Sequence, residues 1–230
     1  MTETDKRRPL VRDLYENRLS GEQIEKLSFQ AIDQLAPAHG FDKGQWEVVR
    51  RMIHTVADFN IMDIVRFSGD AIEAGIAALK AGSPIYCDSN MIKNGLSLAK
   101  LSSISDRYTS DAIRCHVADA DVAAEATATG LPRSLYAMRK ARPIADGGIL
   151  LFGNAPVALL ELNRMIIEEG VRPALVMAMP VGFVHVVESK EELMSLGVPY
   201  VAMEGRRGGS PLAVAALHAI CSLAKAKGGQ

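Results

Sequence analysis

Residues 148–170, GILLFGNAPVALLELNRMIIEEG, contain the sequence pattern that decides the fold. The apolar run Ile149–Phe152 is bounded by glycines, which is typical of a strand buried on both faces. The helical stretch Ala155–Glu169 follows directly, with Pro156 in its first turn and Gly170 at its end. A strand that leads through a short loop into a helix predicts one unit of a parallel sheet.

Further strands and helices are predicted on both sides of this unit. The other short apolar runs are Pro84–Cys87, Ile113–Val117, Ala174–Met179 and Tyr200–Met203. Helical periodicity starts at Gly21, near Asp42, at Asp70 and at Ser210, which we expect to be an N-cap. Because right-handed crossovers put helices on both faces, we predict a three-layer α/β fold. It has a flavodoxin-like, five-stranded parallel sheet and extra N-terminal helices.

Composition limits the domain count and the class of protein. The chain has 230 residues, 48% of them hydrophobic, and a net charge of −1. We predict a mobile N-terminal arm over residues 1–18 and a single domain over residues 19–230. The balanced charge argues against nucleic acid as a partner, and no apolar run reaches the ~20 residues that cross a membrane. Three widely spaced cysteines favour reduced thiols and a cytoplasmic location.

The loops that follow the predicted strands are the expected ligand site, because ligands of open α/β sheets bind beyond the carboxyl ends of the strands. The loop Gly205–Ser210 combines glycines, two arginines and a helix N-terminus, which are features that attract anions. An ordinary glycine-rich turn is the alternative. No Walker A or dinucleotide-binding motif is present. The candidate substrate-binding residues of these loops are Asp88, Asn154, Gly182, Arg206, Gly208, Gly209 and Ser210.

A polar helix face around His54 is the second candidate. Helical spacing puts Arg51 three residues before the histidine and Asp58 four residues after it, both within side-chain reach. Histidine exchanges protons near neutral pH, so His54 is a candidate acid or base. A solvated helix face is the alternative interpretation.

Two isolated residues are weaker candidates, and a metal site is disfavoured. Ser28 lies within an apolar helical stripe, where it faces a ligand or bonds back to the carbonyl of Ile24. Arg133 is a second anion contact or a surface arginine at a helix start. Cys115 and His116 are neighbours on a predicted strand and point to opposite faces, which argues against a metal site built by the protein.

Seven stretches, in order along nearly the whole chain, resemble the precorrin-8X methylmutase family, also called precorrin isomerase, and its cobalt-precorrin-8 counterpart. They are Ile24–Phe29, Arg51–His54, Ala78–Ile85 with Cys87-Asp88, Gly153–Pro156, Pro180–Val184, Glu188–Lys190 and Gly205–Ser210. Several motifs in register are far more specific than any one of them.

The resemblance implies an isomerase of cobalamin biosynthesis. A methyl group of the corrinoid migrates from carbon 11 to carbon 12, giving hydrogenobyrinate or its cobalt-containing analogue, without a separate cofactor. It implies that His54 is the proton donor or acceptor, that Ser28 and Arg51 contact the substrate, and that the protein is a homodimer. A non-catalytic tetrapyrrole-binding or delivery protein is the alternative function.

Overall fold

The computed structural model describes residues 9–227, and residues 1–8 and 228–230 lie outside the description. Its contacts divide the chain into two compact units, residues 1–38 and residues 39–230. The predicted mobile arm falls partly on residues 1–8. Its described part contains a short helix, α1, Val11–Glu16. The predicted domain boundary after residue 18 stays a prediction.

The first unit contains one long helix, α2, Gly21–Leu35. Ser20 caps it, because its hydroxyl accepts from the Gln23 N–H at 3.2 Å while the Gln23 side chain accepts from the Ser20 N–H at 2.7 Å. This reciprocal pair satisfies two amides that the first turn leaves without helical partners. The apolar stripe of α2 is exposed at Ile24 and Leu27.

The second unit contains the sheet, ten α-helices and two short 3-10 helices, Phe59–Asp63 and Ser110–Ala112, among its described residues. The strands are β1 Val65–Phe67, β2 Ile85–Cys87, β3 Ile113–Arg114, β4 Ile149–Phe152, β5 Leu175–Ala178 and β6 Tyr200–Met203. The helices before β4 are α3 Lys43–Val56, α4 Ala71–Ala81, α5 Asn90–Gly95, α6 Leu98–Ser102, α7 Ala120–Thr129, α8 Arg133–Lys140 and α9 Arg142–Ala145. Those after it are α10 Pro156–Glu169, α11 Val186–Met194 and α12 Ser210–Ala226.

The sheet has six strands in the order β1-β6-β5-β4-β2-β3. Five of them pair in parallel, and β1 pairs antiparallel with β6 at one edge. Numbered among themselves, the parallel strands follow the flavodoxin-like order 2-1-3-4-5. The α/β class is therefore confirmed, but the predicted count of five strands is wrong. The missed strand β1 is three residues long and has the charged Arg66 at its centre, so it lacks an apolar run. Arg66 pairs with Glu204 at 2.6 Å.

Helices cover both faces of the sheet. Successive side chains of each strand point to opposite faces, so the apolar strands have side chains to bury on both. Leu150 and Phe152 of β4 belong to a buried cluster with residues of α8, α10 and α11. On the other face α4 and α12 approach closely: a Cβ on Gly75 of α4 would lie 2.9 Å from Leu175 and 3.1 Å from Ile220. Helix α3 packs against α12 on this second face. The three layers thus place the end of α3 and the start of α12 near the same loops.

Within residues 9–227, no helix combines the length and the apolar character that crossing a membrane requires.

Candidate functional site

Asp88 joins two of the predicted ligand loops. Its side chain is 1% exposed, and its Oδ2 accepts hydrogen bonds from the backbone N–H groups of Gly153 at 3.1 Å, Asn154 at 2.8 Å and Ala155 at 2.7 Å. Burial raises the pKa of the Asp88 carboxyl group, and the three amide donors oppose that rise. The geometry favours a role in holding the loop after β4, whose Asn154 side chain is exposed.

Lys190 holds the loop after β6 through hydrogen bonds to its backbone. The side chain is fully buried, and Nζ donates to the carbonyl oxygens of Gly205 at 3.0 Å and Arg207 at 2.8 Å. Burial lowers its pKa to about 8. Sequence reasoning assigned this lysine no role. The available signal was its spacing, four residues after Val186 and three before Leu193, which puts it on the buried face of α11.

The glycines of the loop after β6 permit close contact with the loop after β5. Gly209, at φ 132°, donates its N–H to the carbonyl oxygen of Met179 at 2.8 Å, and a Cβ on Gly208 would lie 2.2 Å from that oxygen. Gly182, at φ 144°, donates its N–H to the carbonyl of Arg206 at 3.3 Å, while the Arg206 side chain is exposed. These glycines therefore have a packing role whether or not they contact a ligand.

Ser210 links the start of α12 to the loop after β2. Its hydroxyl lies 3.1 Å from that of Ser89, and it is buried. The expectation that Ser210 is the N-cap is wrong, because Gly209 occupies that position and Ser210 is the first helical residue. A Cβ on Gly153 would lie 2.7 Å from the Ser210 Cα, so the loop after β4 also touches this point.

Helix α3 brings Arg51 and His54 to the same edge of the sheet. Asp42 caps its start, accepting from the Gln45 N–H at 2.9 Å. Arg51 is half-buried, and His54 is exposed on the last turn.

The expected helical pairing of Asp58 with His54 is wrong, because the helix ends before Asp58. Ala57 is left-handed at φ 51°, and Asp58 accepts from the Asn60 N–H at 2.9 Å. Its carboxylate instead forms an ion pair with Arg207, which lowers the pKa of Asp58. This pair ties the loop Gly205–Ser210 to the end of α3.

A cavity of about 340 Å³ lies between α3, α5 and the first turns of α12. Arg51, Met91, Ser210, Val214 and His218 are among its lining residues. His54 is not in the lining, although it is one residue from Thr55, which is. A second cavity of about 540 Å³ lies around the start of α3 and the end of α12, and none of the predicted site residues lines it.

His218 is a site residue that sequence reasoning missed. It is half-buried, and its Nε2 accepts from the backbone N–H of Ser97 at 3.0 Å. Burial, followed by the positive charges of Lys100 and Arg51, lowers its pKa to about 4. The available signal was the helix itself: in SPLAVAALHAI, the first eleven residues of α12, His218 is the sole ionisable side chain.

The two remaining predicted site residues are on other helices. Ser28 is half-buried on α2 in the first unit. Arg133 begins α8, is exposed, and belongs to a helix that packs against α7 and α10. The roles expected for both stay predictions.

We expect His218 to make the fold sensitive to acid. Its folded pKa of about 4 lies below the ordinary 6.5, so the unfolded chain binds the proton first as the pH falls. The stability from neutral His218 is complete above pH 6.5 and is lost toward pH 4, by about 3 kcal/mol. Urea unfolding of wild type and His218→Gln from pH 7 to pH 4 measures this, since the variant lacks the titrating group. Parallel pH curves for the two proteins would contradict it.

Comparison with known proteins adds independent findings. A family model described as precorrin-8X methylmutase matches residues 23–223. A cobalt-precorrin-8 methylmutase from Leptospira interrogans is 40% identical over 216 residues, covering 90% of this chain and 96% of the relative. A precorrin-8X methylmutase from Pseudomonas aeruginosa is 38% identical over 204 residues, covering 88% and 95%. The solved precorrin-8X methylmutase of Thermus thermophilus is 44% identical, with a TM-score of 0.83 and coverage of 91% and 99%.

Proposed function

The chain belongs to the precorrin-8X methylmutase family, and on this premise we propose that His54 is the proton donor or acceptor of its reaction. The protein is an isomerase of cobalamin biosynthesis that catalyses a methyl migration. The substrate is precorrin-8X or cobalt-precorrin-8, and the methyl group moves from carbon 11 to carbon 12. The observation that carries the proposal is the position of His54, which is exposed on the last turn of α3, three residues after Arg51. The ion pair of Asp58 with Arg207 ties the loop Gly205–Ser210 to the end of this helix.

The size of the cavity indicates how the macrocycle binds. At about 340 Å³ it lies near the lower end of the range for small-molecule sites. It holds part of a tetrapyrrole, and the ring itself lies over the exposed surface that includes His54. Arg51 and Arg206 supply positive charge for the carboxylated arms, and each charge-assisted hydrogen bond contributes about 1.5–3 kcal/mol. We expect Asn154, Gly182 and the loop Gly205–Ser210 to border this surface, because Arg207 of that loop pairs with Asp58 just after α3.

The reaction requires the protein to position the macrocycle and to transfer one proton. A methyl group that migrates within the macrocycle breaks one carbon–carbon bond and forms another, so substrate and product are isomers. No electrons leave the molecule, and we propose that no cofactor is needed. A proton placed on the conjugated ring by His54, or removed from it, lowers the barrier, and such acid–base assistance gives about 10²–10⁴-fold.

The visible spectrum tests the function directly. Precorrin-8X and cobalt-precorrin-8, each in large excess over the protein, are expected to convert to the product chromophore over many turnovers. A spectral change that stops at one equivalent of bound pigment would instead support the non-catalytic binding protein. The substrate that is converted faster identifies the natural one.

We also propose that the protein is a homodimer. The stripe of α2 exposes Ile24, Leu27 and Leu35 by 44%, 50% and 71%, and exposed apolar stripes of this kind mark protein–protein contacts. Sedimentation is expected to give twice the 24.8 kDa chain mass. Leu27→Glu should shift the protein toward the monomer, whereas Gln30→Glu, off the stripe of the same helix, should not. A monomeric wild type would contradict the proposal.

A cytoplasmic location is proposed from the thiols. All three cysteines are free, as is usual in a reducing compartment.

A further inference from the structure

His218 is a polar group of the site that the proposed reaction leaves unused. It lies on α12, two turns after Ser210, and lines the same cavity as Arg51. His218 is half-buried, so a ring nitrogen that has no partner in the protein can bond to a ligand in the cavity.

The hydrogen bond to Ser97 fixes which nitrogen carries the proton. Because the Ser97 N–H donates to Nε2 at 3.0 Å, Nε2 holds a lone pair, and the neutral ring has its proton on Nδ1. Two positive groups from neighbouring helices face the ring, Lys100 of α6 and Arg51 of α3, and they favour this neutral form. Within residues 9–227 no acceptor is bonded to Nδ1, so its N–H is available to a ligand.

The cavity that His218 lines suits an anion on an aliphatic stem. None of its nine lining residues is acidic, and Arg51 brings a permanent positive charge. Met91, Val214 and Ala215 form apolar walls beside these donors. A carboxylate matches such a pair of donors, because a guanidinium and an imidazole N–H can share its two oxygens.

We propose that Arg51 and His218 bind one carboxylated arm of the macrocycle, with Nδ1–H of His218 donating to a carboxylate oxygen. The inference rests on the proposed function, since the arm belongs to the corrinoid substrate. It adds a binding residue that orients the ring relative to His54. The cavity of about 340 Å³ accommodates an arm while the ring remains outside.

Two substitutions at one position separate this role from a structural one. In His218→Gln the amide oxygen takes the place of Nε2, so it still accepts from Ser97 while the donor at the Nδ1 position is lost. In His218→Asn the amide nitrogen takes the place of Nδ1, so the donor is kept while the bond to Ser97 is lost. A ligand role and a structural role therefore predict opposite orders for the two variants.

Titration of each protein with hydrogenobyrinate, followed in the visible spectrum, gives the Kd. We expect the Gln variant to bind about tenfold or more weakly, the value of one charge-assisted hydrogen bond. The Asn variant should stay within about threefold of wild type while its Tm falls. Unchanged affinity in the Gln variant, or weaker binding in the Asn variant than in the Gln variant, would overturn the proposal.

A chemical change in the ligand tests the same contact in the wild-type protein, whatever the stability of the variants. Among monomethyl esters of hydrogenobyrinate, one ester position is expected to weaken binding about tenfold, because it removes the charged acceptor. In His218→Gln, the same ester should weaken binding little further relative to the parent compound. If every ester position binds as the parent does, the proposal is wrong.

The turnover assay keeps the two proposals apart. If His218→Gln turns over at the wild-type rate and its Kd is unchanged, the proposal of an arm subsite is wrong and the role proposed for His54 is unaffected. Full turnover by His54→Ala, together with weak binding by His218→Gln, would remove the role of His54 and leave the subsite. A wild-type protein that binds no corrinoid would overturn both.

Discussion

Replacing His54 by alanine is expected to lower kcat by about 10²–10⁴-fold while the Kd for the corrinoid product changes little. The reason is that the role proposed for His54 is proton transfer, whose typical contribution is of that size, whereas the charges proposed to bind the carboxylated arms lie on Arg51 and the strand-end loops. The visible spectrum reports both quantities, turnover at low protein concentration and binding at high concentration. A His54→Ala variant that turns over at the wild-type rate would contradict the role.

Added imidazole provides the control for this experiment. Since His54 is exposed on the last turn of α3, a free imidazole can reach the space that the substitution leaves. Recovery of part of kcat with increasing imidazole, at a pH near its own pKa, is expected if the missing function is proton transfer. A variant impaired through misfolding would not recover in this way.

The second large effect is expected on stability, from Asp88→Ala. The substitution leaves the backbone N–H groups of Gly153, Asn154 and Ala155 without the acceptor that they share. Each unsatisfied buried donor costs about 1–3 kcal/mol, and after partial relaxation we expect a loss of about 3–5 kcal/mol in the free energy of unfolding. Urea denaturation measures it.

Two further variants calibrate that result. Asp88→Asn keeps one oxygen as an acceptor, so its loss should be intermediate. Asp121→Ala removes an exposed carboxylate paired with Lys140, and surface pairs of this kind contribute about 0–1 kcal/mol. If Asp88→Ala were no more costly than Asp121→Ala, the three hydrogen bonds would not be holding the loop.

The parallel part of the sheet was predictable because its strands are continuous apolar runs between glycines and polar residues. Helix α4 ends at Ala81 with Gly82 at φ 67°, as the sequence pattern indicated. The strand β1 was not predictable in this way, because an edge strand needs no apolar run and its partner β6 lies far along the chain. Likewise β3 ends at Arg114, earlier than its apolar run suggested.

Local spacing predicted that Arg51 and His54 share one helix, and both lie on α3, while their roles stay predictions. The error at Asp58 arose because helical spacing was continued past the end of the helix. Ala57 adopts a left-handed conformation there, and alanine gives no warning of it. The position of His218 in the cavity depends on how α12 packs against α3 and the segment around Ser97, and such tertiary contacts leave little trace in the sequence.

The hydrogen bonds of the buried Lys190 amine affect the entropy cost of ligand binding. The amine donates hydrogen bonds to two carbonyls of the loop after β6, and Asp58 forms an ion pair with Arg207 of the same loop. These bonds order the backbone of the loop, so its conformational entropy is lost during folding rather than on association. Ligand binding at this edge should therefore change the conformation of the loop little. Hydrogen exchange of the loop amides should be slow without a ligand.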